Sequence, residues 1–266
     1  MPWPVKSVAE LGPGDSIGTG LAALLTGAER YMGLDAYPFA GNQANVTIFE
    51  ELVKLLEART AIPDDREFPE VWPRLQSYAF PKDILTGEIM AKSLAAPRVE
   101  EIRKILQSGL KSSAASLVKL DYVAPWNSAD LIEGGSVDLV ISQAVMEHVA
   151  EVDKTYMLLR KWMRPDGWMS HTIGYKCHNY TRDWNGHWTV SRGTWKILSG
   201  KRRITLNRQA HSAHIHGMKA AGFQIVMESA KLGSALSRSE LAPEFQSLTD
   251  ADLVTSDAFV QARPVV

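Results

Sequence analysis

A glycine-rich turn near the start of the chain has the residue types and spacing of a nucleoside site. The apolar run from Val5 to Leu11 includes an acidic residue, Glu10, and is followed by Gly12 and Gly14. Glycines let the backbone approach a ligand closely. Asp35 ends the next apolar run, about twenty residues on, where a carboxylate can hold two ribose hydroxyls. The pattern predicts a β-turn-α-β unit with a nucleoside site, or else an ordinary strand-to-helix turn.

The spacing of the glycines distinguishes between two classes of nucleoside cofactor. A dinucleotide fingerprint places its third glycine three positions after the second, where this chain has Ile17. Glu10 would repel an anionic pyrophosphate and tolerate a cationic group. Both observations favour S-adenosylmethionine, which has an amino-acid end and a sulfonium, over a nicotinamide dinucleotide.

Length and charge restrict the class of protein. The 266 residues are enough for one large α/β domain, and we expect a single domain over 1–266. The net charge of −1 gives no basic surface for nucleic acid, and no apolar run approaches the roughly 18 residues of a membrane span. The N-terminus lacks the features of a signal peptide, and a single cysteine, Cys177, fits a reducing compartment. We therefore expect a cytoplasmic protein.

Short apolar runs alternate with runs of helical periodicity along the chain, which is typical of an α/β fold with a mostly parallel sheet. Strands are predicted over 5–11, 30–35, 116–123, 137–142, 168–175, 223–228 and 258–263. Helices are predicted over 18–27, 45–59, 84–110 with a break at Pro97, 145–163, and from Ser212 to Ala221. Residues 37–115 are too many for an ordinary crossover. They predict a helical insertion, either a cap over the active site or a structural appendage.

Three later segments extend the pattern of the opening turn. They are SVDLVISQAVMEHV over 136–149, LLRKWMRPDG over 158–167, which includes a turn at 164–167, and AGFQIV over 221–226. In order and spacing, the chain resembles a class I S-adenosylmethionine-dependent methyltransferase, close to the type 11 methyltransferase domains. The resemblance implies a Rossmann-like, doubly wound sheet of seven strands in the order 3-2-1-4-5-7-6, with the last strand antiparallel.

The resemblance also implies a set of cofactor-binding residues. It places Glu10, Gly12 and Gly14 against the methionine part, with Ser16 in the same turn, and Asp35 at the ribose hydroxyls. Ser142 and Gln143, at the end of the fourth strand, would face the methyl group. After the third strand, where the family usually has an acidic and a small residue, this chain has Trp126 and Asn127. Trp126 could stack on adenine and Asn127 could hydrogen-bond its amino group.

Few residues precede the first predicted strand, where many relatives have helices that help to close the cofactor pocket. We expect the 37–115 insertion or another subunit to close the site, so an oligomer is possible. The alternatives are a truncated chain, or a catalytically inactive cofactor-binding protein that acts as a partner subunit.

All seven histidines lie between His148 and His216. Methyl transfer to a hydroxyl needs a base, and histidine suits that role near neutral pH. In the polar, aromatic segment 179–188 we predict His187 as the base, Asp183 as its orienting partner, and Trp184 as a surface for a sugar ring. Alternatively, Trp184 and Trp188 anchor a surface loop in the core. His148 is the second candidate base, or it holds its helix to a loop.

Asn207 and Arg208 are predicted to bind substrate. Arg208 could hold an anionic group through two hydrogen bonds, or pair with one of the chain's own carboxylates. His211 and His214 share a helix face without an acidic neighbour in sequence, so we predict no metal site. The sequence favours O-methylation of a small molecule or glycan. A nicotinamide-dependent oxidoreductase is the less favoured alternative.

Overall fold

The computed structural model describes residues 3–126 and 128–265. Asn127, predicted at the adenine, lies outside the described residues. The sheet has seven strands in the order 3-2-1-4-5-7-6, so the strand order that the resemblance implies is confirmed. The strands are β1 (Ser7–Leu11), β2 (Arg30–Leu34), β3 (Lys119–Val123), β4 (Val137–Gln143), β5 (Met163–Gly174), β6 (Phe223–Leu232) and β7 (Thr255–Pro264).

The helices are α1 (Gly18–Leu25), α2 (Asn42–Glu57), α3 (Gly87–Ser93), α4 (Ala96–Gln107), α5 (Val152–Trp162), α6 (Arg192–Ser199), α7 (His211–Ala220) and α8 (Asp250–Val254). Within the described part of the chain, none of the helices is both long and apolar enough to cross a membrane. The chain divides into two compact units, a first unit up to Ile141 and a second unit from Ser142 onward.

In the first unit, β2 pairs in parallel with both β1 and β3. Parallel strands end at the same edge of a sheet, so the segments that follow them meet there. Backbone hydrogen bonds continue past the strands at this edge: Gly12 N donates to Leu34 O at 2.8 Å, and Asp35 N donates to Val123 O at 3.0 Å. Trp126 N in turn donates to Asp35 O at 3.0 Å. The glycine turn, Asp35 and Trp126 are therefore fixed beside one another.

The core of the first unit explains how the insertion is held. All five residues of β1 are buried, and α1 buries Leu21, Leu24 and Leu25. Phe49 of α2 and Ile102 of α4 belong to the same apolar cluster. The insertion therefore supplies part of this core. The predicted break is present, since α3 ends at Ser93 and Pro97 lies in the first turn of α4, where a proline costs no hydrogen bond.

In the second unit, β7 runs antiparallel to β5 and β6, as predicted for the last strand. The predicted helix over 145–163 is shorter, because a 3₁₀ turn at Met146–His148 precedes α5. The predicted turn over 164–167 is wrong, since the backbone is already extended at Met163, where β5 begins. Ser212 does not cap α7, which begins at His211; its hydroxyl donates instead to Asp252 Oδ2 at 2.8 Å.

Candidate functional site

The turn after β1 has a backbone that favours glycine. Gly12 and Gly14 have φ angles of 61° and 72°, a left-handed conformation that costs other residues about 1–2 kcal/mol. A Cβ built on Gly14 would meet no atom within 4 Å, so there is open space beside this residue. The turn therefore fits a ligand that approaches the backbone closely.

Asp35 lies directly after β2 and is held by two backbone amides. Its Oδ2 accepts a hydrogen bond from Gly14 N at 3.1 Å, and its Oδ1 accepts one from Ala36 N at 2.8 Å. Each carboxylate oxygen has two acceptor positions, so each can take one further hydrogen bond. Two free acceptor positions on a fixed carboxylate fit the adjacent hydroxyls of a ribose.

Glu10 has a hydrogen-bond partner inside the first unit, and its role at the methionine part stays a prediction. The Tyr31 hydroxyl donates to Glu10 Oε2 at 2.6 Å, and Tyr31 is completely buried. Burial also raises the pKa of Glu10 above its ordinary value. The carboxyl group therefore binds inside the unit and joins β1 to β2. For the same reason, its charge is a weaker argument against a pyrophosphate than the sequence suggested.

Asn45 supports the turn from α2, a role that the sequence analysis missed. Its Oδ1 accepts a hydrogen bond from Ile17 N at 2.9 Å, and its Nδ2 donates to Gly41 O at 2.7 Å. Asn45 is completely buried. The one signal in the sequence is a polar side chain within the first turns of an amphipathic helix. Ser16, in the same turn, is half-buried, and Trp126 is half-buried after β3.

The two residues predicted at the methyl group differ in their surroundings. Ser142 Oγ lies 2.7 Å from His171 Nδ1, and both residues are buried in the second unit. The Ser142 hydroxyl is thus engaged with an internal histidine, which corrects its predicted role at the methyl group. Gln143 is exposed, and its predicted role stays a prediction.

His187 lies in the core of the second unit. It is 2% exposed, and its ring centroid is 4.8 Å from that of Trp188. Burial lowers the pKa of His187 to about 3, so the ring is neutral at neutral pH. The same burial shields the ring from a substrate. The structure does not pair it with Asp183 among the described residues; the Asp183 carbonyl accepts a hydrogen bond from Thr181 Oγ1 at 2.9 Å. These contacts argue against His187 as a general base.

The two tryptophans of this segment anchor it, in agreement with the alternative prediction. Trp184 Nε1 donates to Ser234 O at 2.5 Å, and its ring lies 5.9 Å from that of Trp188, in an edge-on arrangement. Trp188 is completely buried, and its Nε1 donates to Arg208 O at 3.0 Å. Trp184 therefore packs against the protein and is not arranged as an open surface for a sugar ring.

Both groups predicted to bind substrate near residue 207 have partners within the chain. Asn207 Nδ2 donates to the carbonyls of Met146 and Val149 at 2.7 and 2.9 Å, and Asn207 Oδ1 accepts from Gln209 N at 2.9 Å. With both ends of its amide occupied, Asn207 fastens the segment after β4 to its own loop. This corrects its predicted role in substrate binding.

Arg208 is a buried cation that holds the 187–190 segment. Its Nη1 donates to His187 O at 3.0 Å and to Val190 O at 2.6 Å. Its guanidinium lies over the rings of Trp195 and Phe245, at 4.9 and 4.7 Å from their centroids. Burial lowers the pKa of Arg208 to about 10, so it stays charged at neutral pH.

The second unit contains a cavity of about 690 Å³ whose charged lining residues are mostly cationic. Its charged lining residues are Arg192, Lys196, Arg202, Arg208 and Glu244. The arrangement gives four cations against one carboxylate, so the cavity favours an anionic ligand.

A second cavity in this unit, of about 430 Å³, is lined by His148, His178 and Thr205 among others. His148 Nδ1 lies 3.3 Å from Thr205 O, so this ring does hold the 3₁₀ turn after β4 to a loop. A proton on Nδ1 leaves a lone pair on Nε2, which can accept a proton or bind a metal. His148 therefore has both the predicted structural role and a free nitrogen.

Glu147 and His178 lie beside His148, and the sequence analysis missed both. Glu147 is 3% exposed, and neither of its carboxylate oxygens accepts a hydrogen bond from a side chain within the described structure. Burial raises the pKa of Glu147 to about 7. Glu147 Oε1 lies 4.0 Å from His178 Nε2. The available signal was an acidic residue immediately before the histidine that follows the fourth strand.

His211 and His214 have hydrogen-bond partners within the second unit. The Tyr175 hydroxyl lies 3.0 Å from His211 Nδ1, and Glu228 Oε1 lies 2.7 Å from His211 Nε2. The Tyr156 hydroxyl lies 3.0 Å from His214 Nδ1. His211 has no acidic neighbour in sequence, but Glu228 reaches it from β6 in the fold. Both ring nitrogens of His211 are nevertheless occupied.

No protein-family model matches the chain, and no curated protein matches it. Solved structures are similar to it. An S-adenosylmethionine-dependent methyltransferase from Mesorhizobium loti is 12% identical, with 99% of this chain and 93% of that chain covered and a TM-score of 0.47. One from Methanosarcina mazei is 9% identical, with coverages of 100% and 95% and a TM-score of 0.48.

A third similar structure is phosphoethanolamine N-methyltransferase 2 from Haemonchus contortus, solved in complex with S-adenosyl-L-methionine. It is 12% identical, with 98% of this chain and 49% of that chain covered and a TM-score of 0.46. At these identities and TM-scores, the similarities assign no role to any residue of this chain.

Proposed function

We propose that this chain is an S-adenosylmethionine-dependent methyltransferase whose first unit binds the nucleoside part of the cofactor. The observation that carries the proposal is the hydrogen bond of 3.1 Å from Gly14 N to Asp35 Oδ2, at the edge where β1 and β2 end. The sheet order 3-2-1-4-5-7-6 supports it. When bound, S-adenosylmethionine supplies a methyl group on a sulfonium, activated for direct displacement.

In this proposal, Asp35 accepts hydrogen bonds from the two ribose hydroxyls, while Gly14 N and Ala36 N keep its carboxylate in one orientation. Gly12 and Gly14 let the cofactor lie against the backbone. Trp126, tied to Asp35 through its backbone amide, stacks on the adenine. These residues bind and orient the cofactor, so their loss would weaken binding before it changed the chemistry.

The acceptor, we propose, is a hydroxyl of a small molecule or glycan that also carries an anionic group. The cavity of about 690 Å³ in the second unit has the size of a small-molecule site. Arg208 places a permanent positive charge in its wall, since its pKa of about 10 lies well above neutral pH. Arg192 and Lys196, both exposed, add charge at the same cavity.

The acceptor class is tested by a screen that measures the release of S-adenosylhomocysteine. Hydroxyl compounds are compared in pairs with and without a carboxylate or phosphate. We expect turnover with the anionic member of a pair, and a raised KM in the variant Lys196→Ala. The variant Lys219→Ala, on α7, removes an exposed lysine away from the cavity lining and serves as the control.

Each other outcome of the screen has a definite meaning. Equal turnover of the two members of each pair, with and without the anionic group, would overturn the proposed acceptor class. Binding of S-adenosylmethionine without turnover on any acceptor would favour the inactive partner subunit. Binding of NAD in its place would favour the oxidoreductase.

A further inference from the structure

We propose that Glu147, His148 and His178 form a binding site for a divalent transition-metal ion in the second unit. One carboxylate oxygen of Glu147 and one ring nitrogen of each histidine lie within 4.8 Å of one another. Ligand atoms about 2.1 Å from a metal lie about 3.0–3.5 Å apart. A contraction of about 1–2 Å therefore brings the three groups to coordinating distance.

The contraction can come from His178. Its side chain is 45% exposed, and Nε2 is already 4.0 Å from Glu147 Oε1. The residue lies between the end of β5 and the 3₁₀ turn at Gly186–Thr189. It can therefore move toward the carboxylate without disturbing a helix or a strand.

The independent observation for a bound cation is the state of Glu147. The residue is 3% exposed, and within the described structure neither of its carboxylate oxygens accepts a hydrogen bond from a side chain or has a cationic partner in contact; only the backbone amides of Glu147 and Gly174 lie near the carboxylate. A buried carboxylate without a charged partner is costly, and proteins compensate for it by protonation, with a counter-charge or with a metal. Gly174 leaves room for the Glu147 carboxylate, since a Cβ at that position would lie only 3.0 Å from Glu147 Oε1.

His148 has the orientation that metal-binding histidines usually have. Such residues commonly donate the N–H of one ring nitrogen to a carbonyl and bind the metal through the other. His148 Nδ1 lies 3.3 Å from Thr205 O, so this hydrogen bond fixes the proton on Nδ1 and leaves Nε2 for the metal. His178, whose ring centroid is 5.1 Å away, supplies the second imidazole.

The ligand types identify the class of metal. Two imidazoles and a carboxylate suit Zn²⁺, Mn²⁺, Fe²⁺ or Co²⁺, whereas Mg²⁺ and Ca²⁺ prefer oxygen ligands. Three protein ligands leave coordination positions open. His148 and His178 both line the cavity of about 430 Å³, from which a further ligand can enter. If methyl transfer is the function, a hydroxyl bound there would lose its proton more readily; that consequence alone rests on the proposed function.

Cobalt tests the site directly, because Co²⁺ bound by imidazole nitrogens has visible absorption bands. The full chain, freed of metal with a chelator, is titrated with Co²⁺ and in parallel with Zn²⁺ by calorimetry. We expect one ion per chain with micromolar or tighter affinity. The variants His178→Ala and Glu147→Gln should each bind at least tenfold more weakly. His216→Ala, which removes an exposed histidine from α7, should bind like the parent chain.

Two results would overturn the metal site. One is the absence of stoichiometric binding; the other is unchanged affinity in folded His178→Ala. Because His178 is exposed, that variant decides the question even if Glu147→Gln does not fold. S-adenosylmethionine binding is measured on the same metal-free protein. If the chain binds S-adenosylmethionine but no metal, only the metal site is contradicted. If it binds the metal but not S-adenosylmethionine, only the methyltransferase proposal is contradicted.

Discussion

The backbone amide of Gly14 donates a hydrogen bond to Oδ2 of Asp35 at 3.1 Å. This contact joins the turn after β1 to the residue after β2. It requires the left-handed backbone of the turn, where Gly14 has a φ of 72°. It also fixes the direction of a carboxylate that retains acceptor positions. One hydrogen bond thus links the glycine pattern to the acidic residue about twenty positions later in the chain.

Replacing Asp35 with alanine should weaken the binding of S-adenosylhomocysteine by about 1–3 kcal/mol, the scale of a lost hydrogen bond to a charged group. The physical reason is the loss of two acceptors for the ribose hydroxyls. Calorimetric titration of the folded variant measures the effect. Asp15→Ala removes an exposed carboxylate from the same turn and should leave the affinity unchanged. Equal losses in both variants would point to general electrostatics and remove the assignment of Asp35.

Gly14→Ala and Gly135→Ala form a matched pair. Both glycines have positive φ angles, 72° and 67°, and at neither would a Cβ meet an atom within 4 Å. Each substitution should therefore cost about 1–2 kcal/mol of unfolding free energy from backbone strain. Cofactor affinity should fall in Gly14→Ala alone, because only there does the methyl group enter the proposed ligand space. Denaturant unfolding and calorimetry separate the two effects; undiminished affinity in Gly14→Ala would contradict the proposed position of the cofactor.

Tyr31→Phe should destabilise the protein by about 1–3 kcal/mol, because it removes the hydrogen bond from the Tyr31 hydroxyl to the buried carboxyl of Glu10. The further substitution Glu10→Gln removes the ionisable group, so the double variant should lose less stability than the sum of the two single variants. Urea unfolding of the four proteins measures this coupling. Additive losses would mean that the Glu10–Tyr31 contact does not stabilise the fold.

Stability should fall as the pH is lowered below about 6.5. Burial lowers the pKa of His171 to about 4 and those of His187 and His214 to about 3. Below about pH 6.5 the unfolded chain takes up protons at these histidines and the folded chain does not. The free energy of unfolding therefore falls by up to about 1.4 kcal/mol per pH unit for each histidine. Glu147, whose pKa is raised to about 7, acts in the opposite direction. The net loss between about pH 6.5 and pH 5 should be about 2–4 kcal/mol.

The contribution of one histidine can be isolated with His214→Asn. This variant should show a shallower dependence of unfolding free energy on pH, by about 1.4 kcal/mol per pH unit over the same range. His216→Asn, at an exposed position of the same helix, should leave the slope unchanged. Urea unfolding at several pH values measures both. A slope in His214→Asn equal to that of the parent chain would show that His214 does not resist protonation in the folded state.

The strands were accessible to sequence reasoning because buried parallel strands are uninterrupted apolar runs, as in β4. Two helices were missed, α6 and α8; α6 is amphipathic but only eight residues long, and it lies in a polar, aromatic segment. The sequence did carry a signal for the start of α6, a serine at the N-cap position. In the structure, Ser191 Oγ accepts a hydrogen bond from Thr194 N at 3.2 Å. The prediction of a turn at 164–167 was wrong because proline and glycine were interpreted as turn residues, whereas β5 continues through them.

The site was predictable where a residue type alone restricts the backbone, as at Gly12 and Gly14. It was not predictable where a side chain has two competing partners. Ser142 binds His171, 29 positions away, and Asn207 binds the Met146 carbonyl, 61 positions away. Packing between distant segments decides which polar groups stay free for a ligand. The Glu147–His178 contact arises in the same way, from a loop that returns to the end of β4.

The central claim is tested most directly by parallel calorimetric titrations of the purified chain with S-adenosylmethionine, S-adenosylhomocysteine and NAD. Micromolar binding of both sulfur nucleosides, weakened in Asp35→Ala and unchanged in Asp15→Ala, is the result that our proposal predicts. Binding of NAD with no response to either sulfur nucleoside would contradict it, and so would binding of the sulfur nucleosides that is indifferent to Asp35.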